Sequence, residues 1–447
     1  MELFVDGAVL ERMRGGAGLR LNKPVAKEIA ATCEKPWEWQ LGYPSVVPDG
    51  KGGYFLYYRG MGSSRTVLKD ECEKQVTCVN HSKDGVRFER VDTGFAWEGH
   101  RDTNIVYAGF VCHNFTPFYD TNPRCLPSER FKALGGVSDG TATGGLYALA
   151  SEDGIRWRLM CEKPIFTDGA FDSQNVAFYD AVLGKYRMYS RYWSANGLGA
   201  HEHYGGFRAI QSCVSDDFLH WGNVVANDYG EEITEHFYTN ATIPCPGAEH
   251  ILLSFPNRFM EQRKRLAAYE KTGVSDTVFM TSRDGVTWTR RFRESWLRPG
   301  LDDANWTDRN MMVGAGIAQT PDGNYSLFCT EHNCAEDNRI RRLAIRKNGF
   351  VSLSAGWEAG AAATRPFLYE GGDLRLNVAT SAAGSVKAWL TDADGEAMFV
   401  APDIATALYG DALDEPYPLA TGARLVGKRV RLCFELKDAD VYSYDIR

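Results

Sequence analysis

Three observations predict an all-β fold for this chain of 447 residues. Aromatic residues make up 12% and glycines number 45, a pairing that suits short strands joined by many tight turns. Apolar and polar residues alternate at period two along several short runs, which is the strand period. A turn motif also recurs: Ser82-Lys-Asp-Gly-Val-Arg-Phe88, Ser151-Glu-Asp-Gly-Ile-Arg-Trp157, Ser215-Asp-Asp-Phe-Leu-His-Trp221 and Ser282-Arg-Asp-Gly-Val-Thr-Trp288, with a weaker copy at Arg346-Lys-Asn-Gly-Phe-Val-Ser352. The starts lie 69, 64, 67 and 64 residues apart, so one supersecondary unit is repeated.

Each copy is read from its turn outward. An Asx-Gly step tolerates positive φ and so joins two antiparallel strands. The runs Gly53-Tyr-Phe-Leu-Tyr-Tyr58, Lys185-Tyr-Arg-Met-Tyr-Ser190, His250-Ile-Leu-Leu-Ser-Phe255 and Asn324-Tyr-Ser-Leu-Phe-Cys329 supply preceding strands and keep step with the turns. Five such units around an axis form a five-bladed β-propeller, expected over residues 1–355. The Ser and Asp of each copy are expected to close the turn, and the Trp to pack between neighbouring sheets. After about residue 355 the repeat stops, and GWEAGAAATRP is read as a linker. Beyond it Asp373–Val378, Ser385–Leu390 and Arg429–Leu436 alternate, with Asp394-Gly395 as a turn. That pattern predicts a small β-sandwich over 356–447, because alternation needs one buried and one wet face.

Composition narrows the function. The formal charge is −8 with no block of like charges, which disfavours a nucleic-acid partner. No run of about 18 apolar residues occurs, so no membrane span is expected. The segment MELFVDGAVLERM lacks the basic region of a signal peptide. The 11 cysteines show no paired CxxC spacing and read as reduced, mostly buried thiols of a cytoplasmic protein. Cys72 and Cys78 are the pair that could bridge on export. His201-Glu202-His203 resembles half of a metal site, but it lies in a glycine-rich stretch without a third ligand and is read as a loop over the channel. No cofactor is expected, and no ligand spacing predicts a divalent ion in the channel. A homo-oligomer is left open.

In such a fold the innermost strands surround a channel, and residues from different sheets converge there. The polar residues at the starts of those strands are Glu38 and Tyr43, Asn114, Asp172 and Asn175, Glu235, His236, Tyr238 and Asn240, and Asp308, Arg309 and Asn310. A second set follows the same strands: Arg59, Arg191, Arg258 and Glu331-His332. Arginines at one phase of three strands form either a structural ladder to carbonyls or a ring of ligand-binding guanidiniums suited to a carboxylated or sulfated substrate. Carboxylates with aromatics are the chemistry of glycosides, where one acid protonates the leaving oxygen and an ionised one attacks or activates water. His236 and His332 lie beside candidate acids and are alternative proton donors.

The runs LFVDGAVLERM, WEW…GYPSV, FYDTNPRCLPSERFKAL, SEDGIRW, FDSQNVAFYD, GFRAIQSCVSDDFLHW, YTNATIPCP and LKDADVYSYDIR resemble a group of bacterial proteins described as glycoside hydrolase family 32- or 43-like. The resemblance covers nearly the whole chain. It implies a five-bladed propeller with a β-sandwich and a furanosidase-like or exo-glycosidase activity. Characterised members place an Asp on the first blade, where this chain reads Gly42-Tyr-Pro-Ser45 with Glu38 close by, and the Arg-Asp-Pro and Glu-Cys motifs of family 32 are absent. By that comparison Asp172 fits the second carboxylate and Glu235 the general acid, with Asp308 or Glu331 as the remaining acid. The expectation is a glycosidase taking one or two sugar units from a small oligosaccharide. A carbohydrate-binding protein, a phosphorylase and a lyase are the alternatives.

Overall fold

The strand Tyr54–Gly60 is flanked by Gly42–Pro48 on one side and Val76–Ser82 on the other, and the pattern of this first antiparallel sheet recurs along the chain. The computed structural model describes residues 1–61, 74–137, 144–196, 205–333, 335–393, 399, 401–403, 405–419 and 422–447. Among them the chain is all-β, its helical segments being 3-10 turns of three or four residues. Two compact units divide it: Pro24–Ala344, and a second built from Met1–Lys23 with Ile345–Arg447.

In the Pro24–Ala344 unit, further four-stranded meanders follow at Thr116–Tyr119, Phe131–Val137, Gly145–Ser151 and Arg158–Leu159, and at Val176–Asp180, Lys185–Trp193, Arg208–Ser215 and Trp221–Ala226. The next repeat is two three-stranded ladders in series. They part at Pro256, between Ala248–Ser254 and Asn257–Met260, because proline has no N–H to give a ladder. The last sheet contains Asn324–Glu331 and Arg339–Arg346 and takes its outer strand from Val25–Thr32 near the chain start. First and last sheets also meet through a parallel bridge of Ser45 to Ala315, with Val46 donating to the Ala315 carbonyl at 2.9 Å. One cavity of about 280 Å³ is lined by Val46, Pro117, Val176, Ile243 and Ala315, each from a different repeat.

The recurring turns are alike in detail. Ser82 Oγ accepts the Gly85 N–H at 2.9 Å, and Asp84 Oδ1 accepts those of Val86 and Arg87 at 2.8 and 3.0 Å. The same pairs form at Ser151 with Asp153, Ser215 with Asp217 and Ser282 with Asp284. Neighbouring repeats are tied through these turns: Tyr57 donates to the Gly154 carbonyl and Tyr189 to that of Gly285, each at 2.7 Å. Trp288 is buried edge-on to Tyr189, as expected for a residue between sheets. In the third copy Phe218 occupies the glycine position with φ +71°, a strain retained because its ring is fully buried against Phe118, Tyr186 and Trp221.

The second unit differs from the expected division at 355. Glu2–Leu3, Leu10–Gly15 and Gly18–Leu21 pair with the C-terminal strands and do not join the repeats. The weak fifth copy leads from Arg339–Arg346 into Val351–Ala355, which belongs to this unit's nine-stranded sheet. The segment expected as a linker forms the buried strand Gly360–Thr364, whose small side chains pack close to Trp389 and Cys433. The separate runs at 373–378 and 385–390 are one 19-residue strand, Leu374–Asp392, carrying a bulge between Thr380 and Ser385. The Asp394-Gly395 turn, Cys72 and His201-Glu202-His203 lie outside the described residues. Among the described residues no disulfide forms, and no helix is long and apolar enough to cross a membrane.

The turn geometry carries a test. Gly154 has φ +77°, and a Cβ there would meet the Tyr57 hydroxyl at 2.8 Å and the Phe55 ring at 2.9 Å. Gly52, at φ +99°, has open space around it. Both alanine variants bear the backbone cost of about 1–2 kcal/mol. Gly154→Ala should lose about 1–3 kcal/mol more from overpacking, read as a larger fall in the urea midpoint than for Gly52→Ala.

Candidate active site

Tyr43 stands in a bulge where the first ladder jumps from Gly42 opposite Arg59 to Ser45 opposite Tyr57, and its φ is +51°. Gly42 has no side chain to obstruct Arg59, whose guanidinium lies 4.8 Å from the Tyr43 ring centre. Arg59 Nη1 donates to the His113 carbonyl at 3.3 Å.

Asp172 belongs to segment 171–175, which has no ladder of its own. Its carbonyls are satisfied by amides. Asn114 donates to Phe171 and to Ser173 (2.9 Å), and Asn175 to the same two carbonyls at 3.2 and 2.7 Å. Gln174 donates to the Tyr43 and Pro44 carbonyls and to the Ser45 hydroxyl. Asn114 and Asn175, expected to bind substrate, thus spend their donors holding the loop. Asp172 itself is held at both ends: its carbonyl accepts the Tyr43 hydroxyl at 3.2 Å, and its carboxylate pairs with Arg191.

Arg191 and Trp193 are two residues apart on one strand, and Arg208 is the ladder partner of Trp193, so all three share a face. The Tyr238 ring is flanked by the Arg191 and Arg208 guanidiniums, 5.3 and 5.7 Å from its centre. Arg208 also covers Trp193 at 4.5 Å and Phe259 at 5.1 Å. Burial alone would raise the Tyr238 hydroxyl, but Arg309, Arg191, a hydrogen bond with Tyr43 and Arg208 together bring it below its ordinary value. Burial and the Tyr238 charge push Tyr43 up. His236 Nδ1 accepts the backbone N–H of Arg208 at 3.0 Å, which leaves the ring proton on Nε2. Burial and Arg208 keep that ring below its ordinary value. Arg309, at φ +59°, donates through Nε to Asp308 at 2.9 Å, and Tyr269 donates to the other Asp308 oxygen.

The remaining candidates are engaged elsewhere. Glu38 is fully buried and accepts from Arg90 at 2.8 and 3.1 Å and from Tyr58 at 2.8 Å. Glu235 is adjacent to His236 but faces Arg258 and Arg290, and with Arg258 it lines a separate cavity of about 840 Å³. Arg258 makes a two-toothed pair with Asp276, at 2.8 and 2.6 Å. Glu331 is clasped by Arg339 at 2.8 Å and Arg341 at 2.9 and 3.0 Å. His332 is fixed between Asp302 and Asp337, each at 2.7 Å. Asn240 and Asn310 bond to backbone and to Thr307. Of the predicted residues, Tyr43, Arg59, Asp172, Arg191, His236, Tyr238 and Arg309 come together, with Asp308 joined through Arg309. Sequence reasoning missed Trp193, Arg208, Phe259 and Glu261. The signal for Arg208 was its place opposite Trp193, which only the register discloses. Among the described residues no group of three His, Cys, Asp or Glu could hold a metal ion.

The Glu331 clasp predicts a pH dependence. Burial would raise this carboxyl, but the bonds from Arg341 and Arg339 prevail and hold it below its ordinary 4.5. Its contribution is present above the unfolded value and is lost as pH falls through the folded one. Glu331→Gln should cost toward the lower end of about 3–5 kcal/mol near neutral pH and make the acid-side decline shallower. Urea unfolding of both proteins across pH checks this.

No protein-family model matches the chain, and no curated protein matches it. Among solved structures it is similar to a glycoside hydrolase at 12% identity and TM-score 0.48, over 72% of this chain and 92% of the other. It is similar to an N-acetylgalactosamine deacetylase from F. plautii in complex with blood group B trisaccharide at 14% identity and TM-score 0.46, over 73% and 95%. It is also similar to a structure from work on the GH130 family of mannoside phosphorylases, containing glycoside hydrolases that target β-1,2 mannosidic linkages in Candida mannan, at 12% identity and TM-score 0.42, over 74% and 94%.

Proposed function

We propose that the chain is a carbohydrate-active enzyme that cleaves a glycosidic bond in a small oligosaccharide, on a five-bladed β-propeller accompanied by a β-sandwich. The observation that carries this reading is the Asp172 carboxylate. It is 31% exposed, it pairs with a buried arginine, and the aromatic side chains of Tyr43, Trp193 and Tyr238 stand around that pair. A solvent-reaching acid beside aromatic faces is what a glycosidase needs to grip a sugar and act on its anomeric carbon.

Ion-paired to Arg191, Asp172 suits the part of an ionised carboxylate that orients the sugar or serves as base. Asp308, linked through Arg309, is the second acid of this reading. Glu331 and Glu235, expected as catalytic groups, are better read as structural acids, because two arginines each occupy their oxygens. Removing the Asp172 charge should cost roughly two to four decades in rate. Proton NMR of the protein with a panel of furanosides, pyranosides and uronic-acid-containing oligosaccharides should show a new anomeric signal with wild type that Asp172→Asn suppresses. Full activity of Asp172→Asn would sink the assignment. Dependence on added phosphate would identify a phosphorylase, an unsaturated product a lyase, and equal ligand broadening without product a binding protein.

A further inference from the structure

A second concave surface lies behind the Asp172 cluster. The ladder of Asn257–Met260 with Val274–Thr277 sets Arg258 opposite Asp276 and Met260 opposite Val274, so these four side chains share one face. They line the cavity of about 840 Å³. Phe259, between Arg258 and Met260, points the other way and carries the Arg208 guanidinium of the cluster, 5.1 Å from its ring centre. One ladder thus has the Asp172 cluster on one side and, on the other, a cavity in the size range of small-molecule sites, roughly 300–1,000 Å³.

The cavity has two kinds of wall. One is polar and fixed in advance. Arg258 holds Asp276 with bonds of 2.8 and 2.6 Å, and its Nη1 donates to the Arg293 carbonyl at 3.0 Å. Each Asp276 oxygen takes one of the two bonds and, as a carboxylate oxygen, can accept another. The Asp276 side chain is 18% exposed, so a ligand can reach it. The other wall is aromatic. Trp306 closes the 3-10 turn Asp303–Asn305 and is half-buried, with its indole N–H donated to the Gly300 carbonyl at 2.9 Å. With its one polar atom spent, the ring offers the cavity apolar surface alone.

These walls select a ligand by exclusion. An apolar molecule would strip water from Asp276 and Arg258 and return no hydrogen bond. An anion would meet Asp276 and Glu235, and a cation would meet Arg258, at walls whose charges are already matched. The remaining charged groups of the lining are exposed, where water and salt screen them. A neutral molecule with hydroxyls along its edge and a flat C–H face suits both walls, and a sugar ring is such a molecule. We infer that this cavity is a second saccharide-binding site, in which hydroxyls donate to Asp276 and the sugar face stacks on Trp306. The inference goes beyond the cleavage proposed at Asp172 and does not depend on it, because the groups that carry it belong to the cavity alone.

The test places a reporter in the cavity. The protein is labelled with 5-fluorotryptophan, and the signals of its 11 tryptophans are followed by fluorine NMR. Trp306→Phe assigns the signal from the cavity, and Trp193→Phe the one from the Asp172 cluster. Asp172→Asn serves as background, so that no ligand is consumed. The probes are the methyl glycosides of glucose, galactose, mannose, fucose, rhamnose, xylose, arabinose and N-acetylglucosamine, with sodium sulfate as an anion and cyclohexanol as an apolar ring. The expected result is a saturable shift of the Trp306 signal by at least one glycoside and by neither control, along a concentration curve distinct from that of the Trp193 signal. Asp276→Asn should weaken that glycoside by roughly tenfold, with the unliganded spectrum showing that the variant is folded. If no glycoside moves the Trp306 signal, if sulfate or cyclohexanol moves it equally, or if one curve describes both signals, the second saccharide site is wrong. Unchanged affinity in a folded Asp276→Asn would overturn the part given to Asp276. Cleavage is read separately, from anomeric proton signals with the unsubstituted protein. A Trp306 shift without cleavage keeps this site and removes the hydrolase, and cleavage without a Trp306 shift does the reverse.

Discussion

The architecture of the larger unit depends on one long-range pairing, the strand Val25–Thr32 laid along Arg339–Arg346. These segments stand at opposite ends of the unit's sequence, and without the first the last sheet would expose an unpaired edge. Charge reinforces the ladder. Arg342 grips Glu28 with two bonds of 2.8 and 3.1 Å, and Arg341 donates to the Lys27 carbonyl at 2.7 Å. The neighbouring strand Asn324–Glu331 ends in Glu331, whose two arginines come from Arg339–Arg346. The acid that looked catalytic in the sequence is part of the clasp that secures the closing strand.

The same logic explains the polar residues at the starts of the inner strands. A chain that enters a sheet from a loop brings carbonyls that no ladder satisfies, and burying them bare costs more than supplying donors. Asn114, Gln174 and Asn175 supply them around Asp172, and Asn310 supplies them beside Arg309. Amides bonded to backbone thus set Asp172 and Tyr43 against each other.

Much of the fold was legible because it is written in local chemistry. The Ser and Asp of each turn accept N–H groups two or three residues away, so spacing and residue type reveal them without a structure. What was illegible is whatever depends on register or on distant pairing. The N-terminal strands alternate as well as any others, and nothing local says that Leu10–Gly15 joins residues 360–364 while Val25–Thr32 joins Arg339–Arg346. Small residues in GWEAGAAATRP read as a linker, yet small side chains are also what a crowded sheet interior admits. In the site, Asp172, Arg191 and Tyr238 could be found by their place at strand ends. Arg208 could not, because its face is set by pairing with Trp193.

Acidic residues in a sequence are counted alike, but a structure ranks them by the company they keep. Glu235 and Glu331 each meet two arginines, and the energy that binds those cations is energy a reaction would have to surrender. Asp172 differs, with one arginine at its carboxylate and solvent on its other side. The arginines are ranked by the same criterion in reverse. Arg258 and Arg339 are consumed by carboxylates, whereas Arg191, paired with Asp172, has two buried nitrogens without a partner among the described residues. The Asp172–Arg191 pair, open to solvent on the acid's side and buried on the cation's, therefore marks the candidate site.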